Sequence, residues 1–323
     1  MTIKVLVTGG AGYIGSHTSK KLASYGFEPI CFDNLSTGHQ EFVKWGAFEL
    51  GNLHDTDLLV KILKKYKPSA VIHFAASAYV GESVNDPFKY YRNNVGGTLS
   101  LLEAMQKTNI RSIVFSSTCA IYGAPDSGLI DESCLQQPIN PYGQSKLMIE
   151  KILTDLASRN KISQISLRYF NAAGADRDCE IGENHEPETH LIPLAIRSAL
   201  DGSILKIFGT DFSTPDGTAV RDYIHVEDLA EAHIKAIELI QNGTRSEYIN
   251  LGIGQGYSVN EVIQTIKEFG LSVNFENSER REGDPAFLVA NSKKATEIMN
   301  WKPKYTNLKK IISTAIKWHK FYR

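Results

Sequence analysis

Tyr142 and Lys146, within Pro141-Tyr-Gly-Gln-Ser-Lys146, are the side chains in this sequence best suited to moving a proton. Four residues apart on a helix, they share one face a single turn apart. A free tyrosine, with a pKa near 10, is a poor base at neutral pH. An ammonium beside it stabilises the phenolate and lowers that value, and any further positive charge nearby pushes the same way. Such a tyrosine takes the proton of an alcohol while hydride leaves the carbon for an acceptor. Tyr/Lys pairs at this spacing are common on helix surfaces, so the neighbouring motif matters. Phe115-Ser-Ser-Thr118 ends an apolar strand and puts a hydroxyl in the same crevice, within reach of the reacting oxygen.

A second set of residues supplies the cofactor. Val5, Leu6 and Val7 form a buried-strand run, followed by Gly9, Gly10, Gly12 and Gly15 and a helical pattern through Leu22. The order strand, glycine turn, helix lets the backbone approach a pyrophosphate, which then sits on N–H groups at the helix N-terminus. The next strand, Phe27 to Phe32, ends at Asp33, whose carboxylate accepts the ribose hydroxyls of NAD and repels a 2′-phosphate.

These residues need a scaffold, and the first half of the chain predicts one. Short apolar strands at 47–50, 70–75, 112–116 and 163–168 alternate with helices at 55–66, 87–107 and 141–157. That alternation argues for an α/β fold, a doubly wound parallel sheet of Rossmann type. Ligands collect at the carboxyl ends of such strands, where Asp33 and Phe115–Thr118 fall. From about Ala175 the texture changes to a Gly-, Asp-, Glu- and Pro-rich stretch and then to shorter elements. The expected organisation is an NAD-binding domain over 1–174, with a return of the chain over 222–252, and a smaller α/β substrate domain over 175–323. The chain is 42% hydrophobic and 22% charged with a formal net charge of -1, an ordinary globular balance without the basic field that attracts nucleic acid or membranes. No apolar run reaches the roughly 20 residues of a membrane span. The first strand starts too early to leave room for a signal segment. The four cysteines, Cys31, Cys119, Cys134 and Cys179, show no metal or disulfide spacing, as in a cytoplasmic protein. Two Asn-x-Ser/Thr sites, at Asn34 and Asn242, are chance matches in that setting.

The sequence resembles the UDP-glucose (UDP-galactose) 4-epimerases of the extended short-chain dehydrogenase/reductase family nearly end to end. The resemblance rests on the glycine fingerprint, Asp33-Asn-Leu-Ser-Thr-Gly38, His73-Phe-Ala-Ala76, Tyr90-Tyr-Arg-Asn-Asn-Val-Gly-Gly-Thr98 and Asn140–Met148. In the second half it rests on Arg168-Tyr-Phe-Asn-Ala-Ala-Gly174, Thr189-His-Leu-Ile-Pro193, Phe208-Gly-Thr-Asp211, Val220–His225 and Arg280-Arg-Glu-Gly-Asp-Pro285, which are far more specific. The resemblance implies Tyr142 as base, Thr118 as its hydroxyl partner, and Lys146 as the residue that tunes Tyr142 and holds the nicotinamide ribose. It places Gly9, Gly12, Tyr13, Ile14, Gly15, Asp33, Asn34, Asn52, Leu53, Phe74, Ala75, Ala76, Asn94 and Phe170 around NAD. Around the UDP-sugar it places Thr118, Asn171, His190, Leu191, Lys206, Phe208, Arg221, Arg281, Asp284 and Leu288. Arg221 and Arg281 offer the paired donors that a pyrophosphate wants. A homodimer is implied too.

Two departures from the family pattern stand out. Asn52 replaces a frequent aspartate near the adenine, and Thr118 replaces a serine. Leu288, at the position shaping the pocket around the sugar's C2 substituent, is intermediate in size. The implied reaction interconverts UDP-galactose and UDP-glucose through a 4-keto intermediate by transient hydride transfer to bound NAD. This solves a chemical problem, since no carbonyl beside C4 acidifies its hydrogen. Epimerases of UDP-N-acetylhexosamines, UDP-pentoses or UDP-uronic acids are the alternatives, as is UDP-glucuronate decarboxylation. A 4,6-dehydratase would need an Asp-Glu pair where Cys119-Ala120 stands. A non-catalytic NAD-sensing scaffold on the same fold would have no use for the Tyr/Lys pair. No metal is expected: His185 and His190 sit in a loop with no ligand-like partners evident.

Overall fold

The computed structural model describes residues 2–125, 128–281 and 283–322. The strands are β1 (Lys4–Thr8), β2 (Glu28–Asp33), β3 (Ala47–Leu50), β4 (Ala70–His73), β5 (Ser112–Thr118), β6 (Ser163–Tyr169), β7 (Asn171–Ala173), β8 (Leu205–Phe208), β9 (Val220–His225), β10 (Ser246–Leu251), β11 (Gly256–Ser258), β12 (Phe275–Ser278) and β13 (Phe287–Leu288). The helices are α1 (Tyr13–Ser24), α2 (Thr56–Tyr66), α3 (Val80–Asn85), α4 (Pro87–Tyr90), α5 (Gly97–Thr108), α6 (Pro141–Ser158), α7 (Leu191–Asp201), α8 (Val226–Gln241), α9 (Val259–Lys267), α10 (Lys293–Met299) and α11 (Leu308–Phe321).

Seven strands form one parallel sheet in the order β10-β6-β5-β4-β1-β2-β3. The order reverses direction beside β1, the topological switch that opens a crevice at the carboxyl ends. Both faces are covered, which is why the strands read as unbroken apolar runs. Val5 and Val7 of β1 point with Val114 and Ile165 into a core shared with Leu22 of α1 and Leu229, Ile234 and Ile237 of α8. Leu6 lies on the other face with Val71, Ile113 and Phe115, packed on α2, α5 and α6 through Leu59, Leu63, Leu101, Met105 and Leu153. All of these side chains are essentially buried. Truncating one to alanine costs about 2–5 kcal/mol.

Helix starts follow local chemistry. The Asp55 carboxylate accepts the Leu58 N–H to begin α2, and Asn140 accepts the Gly143 N–H at 2.8 Å, with Pro141 pre-set in the first turn of α6. The single helix expected over 87–107 is instead α4 and α5 joined by a π-helical turn, Tyr91–Gly96. Around that turn Thr98 Oγ1 donates to the Asn94 carbonyl at 2.6 Å and His73 Nε2 contacts Thr98 Oγ1 at 2.9 Å. α3 precedes it and has no counterpart in the sequence reading, because Val80 and Val84 face outward and leave no core-facing stripe.

Of the remaining elements, α10 packs on α8 and β10 in the first core, and the others form a second layer. β7, β9, β11 and β13 make a four-stranded sheet, and β8 pairs with β12. Their core joins Ile192 and Ile196 of α7, Ile207, Tyr223, Ile263 and Ile266 of α9, and Ile311, Ile312 and Ile316 of α11. A Ser258–Glu261 capping box starts α9. Among the described residues, no helix is long and apolar enough to cross a membrane, and Cys31, Cys119, Cys134 and Cys179 are free thiols.

Candidate active site

The glycine turn sits where β1 meets α1. At Gly9, with φ +72, an added Cβ would stand 2.6 Å from the Ala75 nitrogen, and at Gly15 one would stand 2.1 Å from the Gly9 carbonyl oxygen. Only glycine lets these backbones close up. No side chain caps α1 at Gly12, so its first-turn N–H groups are left for an anion. Asp33 lies alongside at the end of β2, accepting the N–H groups of Ala11 at 3.0 Å and Leu35 at 2.9 Å. Burial pushes its carboxyl up against those bonds. This cradle fits a dinucleotide.

Around it, Asn34 accepts from the Ser36 N–H and Asn52 from the His54 N–H, each in an exposed turn. Leu53 is buried in the sheet core, so its backbone alone can face a ligand. Phe74 packs on His233 of α8 with ring centroids 4.6 Å apart, and Ala75 and Ala76 follow it at the crevice edge. Asn94 is fully buried and spends its amide on Ser77 and Ser145, tying the loop after β4 to α6. Tyr13 turns its hydroxyl to the Gly174 carbonyl at 2.6 Å, and Ile14 packs beneath the turn.

Tyr142 stands in the first turn of α6, against the end of β5. Burial drives its pKa up to about 12, with the Thr118 hydroxyl nearby pulling the other way. Lys146, 3% exposed, donates to the Ser116 carbonyl at 2.7 Å, with its Nζ 5.9 Å from the Tyr142 ring centroid. Burial pushes the lysine down to about 7, against the pull of Glu150. Lys146 was expected to lower the Tyr142 pKa. In the protein's own electrostatics burial dominates both groups, and Lys146 is not among the neighbours that draw the phenol down.

Behind them lies a buried ion pair that the sequence reading missed. Glu150, a further turn along α6, receives Arg168 Nε at 2.9 Å and NH2 at 2.6 Å, together with Ser117 Oγ at 2.6 Å. Arg168 NH1 also donates to the Tyr122 hydroxyl at 2.9 Å. The pair joins β5, β6 and α6 and so fixes Thr118 relative to Tyr142. The i, i+4, i+8 spacing of Tyr142, Lys146 and Glu150 was the available signal.

The upper layer brings the other expected residues to the crevice. Phe170 is buried with Cys119, Ile121 and Leu147, and Leu288 packs against that group while lying opposite Arg221 in the β13–β9 register. Asn171 donates to the Asp222 carbonyl at 3.1 Å. Arg221 is paired with Asp284, and the Arg281 guanidinium lies 3.9 Å over the Phe208 ring. Lys206 is not drawn in: it stands exposed on β8, 3.8 Å from Glu276. Asp222 is a further missed residue. Its buried carboxylate accepts the N–H groups of Ile253, Gly254 and Ala290, and burial holds its pKa up at about 6.

The loop before α7 corrects one expectation. His190 stands at the N-cap position of α7 without a side-chain cap, Leu191 begins the helix, and His185 and His190 do have ligand-like partners in Glu183 and Glu188. Burial would depress both imidazolium groups, but the carboxylates outweigh it, raising His185 to about 9 and His190 to about 10. The same contacts hold both glutamates below the usual carboxylate range despite their burial. The sequence signal was Glu-x-His-x-x-Glu-x-His over 183–190.

Comparison with known proteins agrees with this fold. The family described as "NAD dependent epimerase/dehydratase family" matches residues 5–252. A UDP-glucose 4-epimerase of Rhizobium meliloti is 51% identical over 98% of this chain and 96% of its own. The crystal structure of UDP-glucose 4-epimerase from Brucella ovis in complex with NAD superposes with a TM-score of 0.95 at 51% identity, covering 98% of both chains. The enzyme of Bifidobacterium longum in complex with NAD+ and UDP gives a TM-score of 0.94 at 35% identity over 98% of both chains. The chain therefore belongs to the NAD-dependent epimerase/dehydratase family, among its UDP-glucose 4-epimerases.

Proposed function

We propose that the protein interconverts UDP-galactose and UDP-glucose by inverting C4, with Tyr142 as the group that takes and returns the O4 proton. The observation that carries this is the Tyr142 phenol close to the Thr118 hydroxyl and beside the buried Lys146, whose ammonium donates to the Ser116 carbonyl at the end of the same strand. NAD, when bound there, supplies a two-electron acceptor and donor for C4 and a positive nicotinamide that favours the phenolate. The residues of the chain do the rest. Thr118 orients the phenol and the sugar O4, and Lys146 holds the nicotinamide ribose and offsets the phenolate charge. Asp33 receives the adenosine ribose hydroxyls, with Asn34, Asn52, Phe74 and Phe170 lining the same groove. Arg221 and Arg281 grip the diphosphate, Arg221 pre-oriented by Asp284, while Asn171, His190, Leu191, Phe208 and Leu288 bound the remainder. Anchoring by the UDP end leaves the sugar ring free to turn over between the two transfers.

In this reading residues 1–174 with 222–252 bind NAD, and the remainder of 175–323 closes over the UDP-sugar. Val84 and Phe88, exposed on adjacent α3 and α4, with exposed Met148 on the neighbouring α6, present an apolar face that supports a homodimer. The free thiols fit work in the cytoplasm. Incubating the purified protein with UDP-galactose and following the sugar H1 resonance by proton NMR tests the function. Conversion to a UDP-glucose/UDP-galactose equilibrium is expected; no conversion, even with added NAD, would refute it.

A further inference from the structure

At the edge of the crevice, away from Tyr142 and Lys146, Glu183, His185, Glu188 and His190 bring four donor atoms within 4.8 Å of one another. Their separations are those of a coordination sphere. Nδ1 of His190 lies 2.8 Å from Glu183 Oε1 and 3.1 Å from Glu188 Oε1. Nδ1 of His185 lies 3.3 Å from Glu183 Oε1 and 3.7 Å from Glu188 Oε2. A tetrahedron with metal–ligand bonds of about 2.0 Å has edges of about 3.3 Å, so small shifts that bring a single Glu188 oxygen to both imidazoles would convert these contacts into one.

The cluster is also built like a site. The glutamate side chains are 4% and 1% exposed, whereas His190 at 47% leaves a way in. The Glu188 carboxylate is held by the N–H groups of Thr189 at 2.7 Å and His190 at 2.8 Å, the outer support that orients a ligating carboxylate. The Tyr13 and Tyr79 rings meet His185 edge-on at 6.3 and 6.0 Å and wall off one side. Among the described residues, His185 Nδ1 is buried without a hydrogen bond, although a Glu183 oxygen stands 3.3 Å away. Its in-plane direction is therefore not aligned on that oxygen and is available to a third atom.

We infer that Glu183, His185, Glu188 and His190 form a binding site for one first-row divalent transition metal of the zinc type. Two imidazole nitrogens and two carboxylates suit zinc and its neighbours, whereas calcium and magnesium favour all-oxygen sets. Two carboxylates balance the dication, so binding exchanges protons for metal without leaving net charge in the loop. The ion would pin the 183–190 loop between the Tyr13 turn and the start of α7. This is a structural role, at a loop whose His190 also borders the proposed UDP-sugar site.

The test uses the full chain, stripped with a chelator and dialysed, then titrated with zinc chloride alone against a chromophoric competitor; cobalt(II) is added separately as a spectroscopic probe. One zinc per chain is expected, with intense tetrahedral cobalt bands in the visible. His185→Ala and Glu188→Gln are each expected to weaken binding at least about tenfold, and His54→Ala, at an exposed histidine elsewhere, to leave it unchanged. Circular dichroism and NAD content report whether the variants are folded. Absence of stoichiometric zinc, octahedral cobalt bands, or folded variants that bind as tightly as the parent would overturn the inference. If the variants do not fold, the cobalt spectrum of the parent chain decides alone.

Discussion

Two clusters of titratable groups, one buried and one open at His190, lie at the rim of the same crevice and behave in opposite ways. At Tyr142 and Lys146 burial wins: the phenol is driven up to about 12 and the lysine down to about 7, so both tend toward their neutral forms. In the 183–190 loop burial loses, because two carboxylates stand within 4 Å of two imidazoles and hold them charged. The lesson is that burial alone does not set a charge state; the number of opposite charges at contact distance does. An under-compensated pair leaves Tyr142 responsive to an added positive charge. A fully compensated quartet makes a rigid anchor.

The comparison is broken most severely by Tyr142→Phe, which removes the proton acceptor and should reduce turnover by about 10²–10⁴-fold. Bound NAD should be retained, as read from cofactor content after denaturation. Glu150→Gln comes next. It leaves Arg168 buried without its counter-charge and should destabilise the fold by about 3–5 kcal/mol in denaturant unfolding. Lys146→Met should do the reverse for stability. The depressed lysine carries a penalty that is full below its folded value near 7 and fades as pH rises toward its unfolded value. Near pH 7, therefore, this variant should be more stable by roughly 1–3 kcal/mol while losing most activity.

The quartet gives the opposite slope. Raised imidazolium values contribute stability that is complete below about 6.5 and lost as pH rises through about 9 and 10. Unfolding midpoints measured with chelator present should fall between pH 7 and 10, and Glu188→Gln should flatten that fall. The smallest effect is expected at Lys206, an exposed residue paired only with exposed Glu276. Lys206→Ala should change the KM for UDP-galactose by less than about twofold, since such pairs contribute about 0–1 kcal/mol.

What the sequence disclosed follows the same division. The parallel sheet was legible because strands covered on both faces are plain apolar runs, as at Val5–Val7 and Ile113–Phe115. Tyr142 and Lys146 were legible because one helix carries both. α3 was not, since Val80 and Val84 face outward. Nor was β12, where Phe275, Glu276 and Asn277 are exposed and show no alternation. The Glu150–Arg168 pair and the 183–190 quartet were obscure for another reason. Their chemistry depends on contacts between segments, or on a loop whose curvature no periodicity records.

The central claim is that C4 is inverted by oxidation and return of its own hydrogen. Turning over unlabelled UDP-galactose in D2O tests it most directly, with C4 of the UDP-glucose product read by NMR and mass spectrometry. The account predicts protium retained at C4. Deuterium at C4 would mean exchange of that hydrogen with solvent and would contradict it.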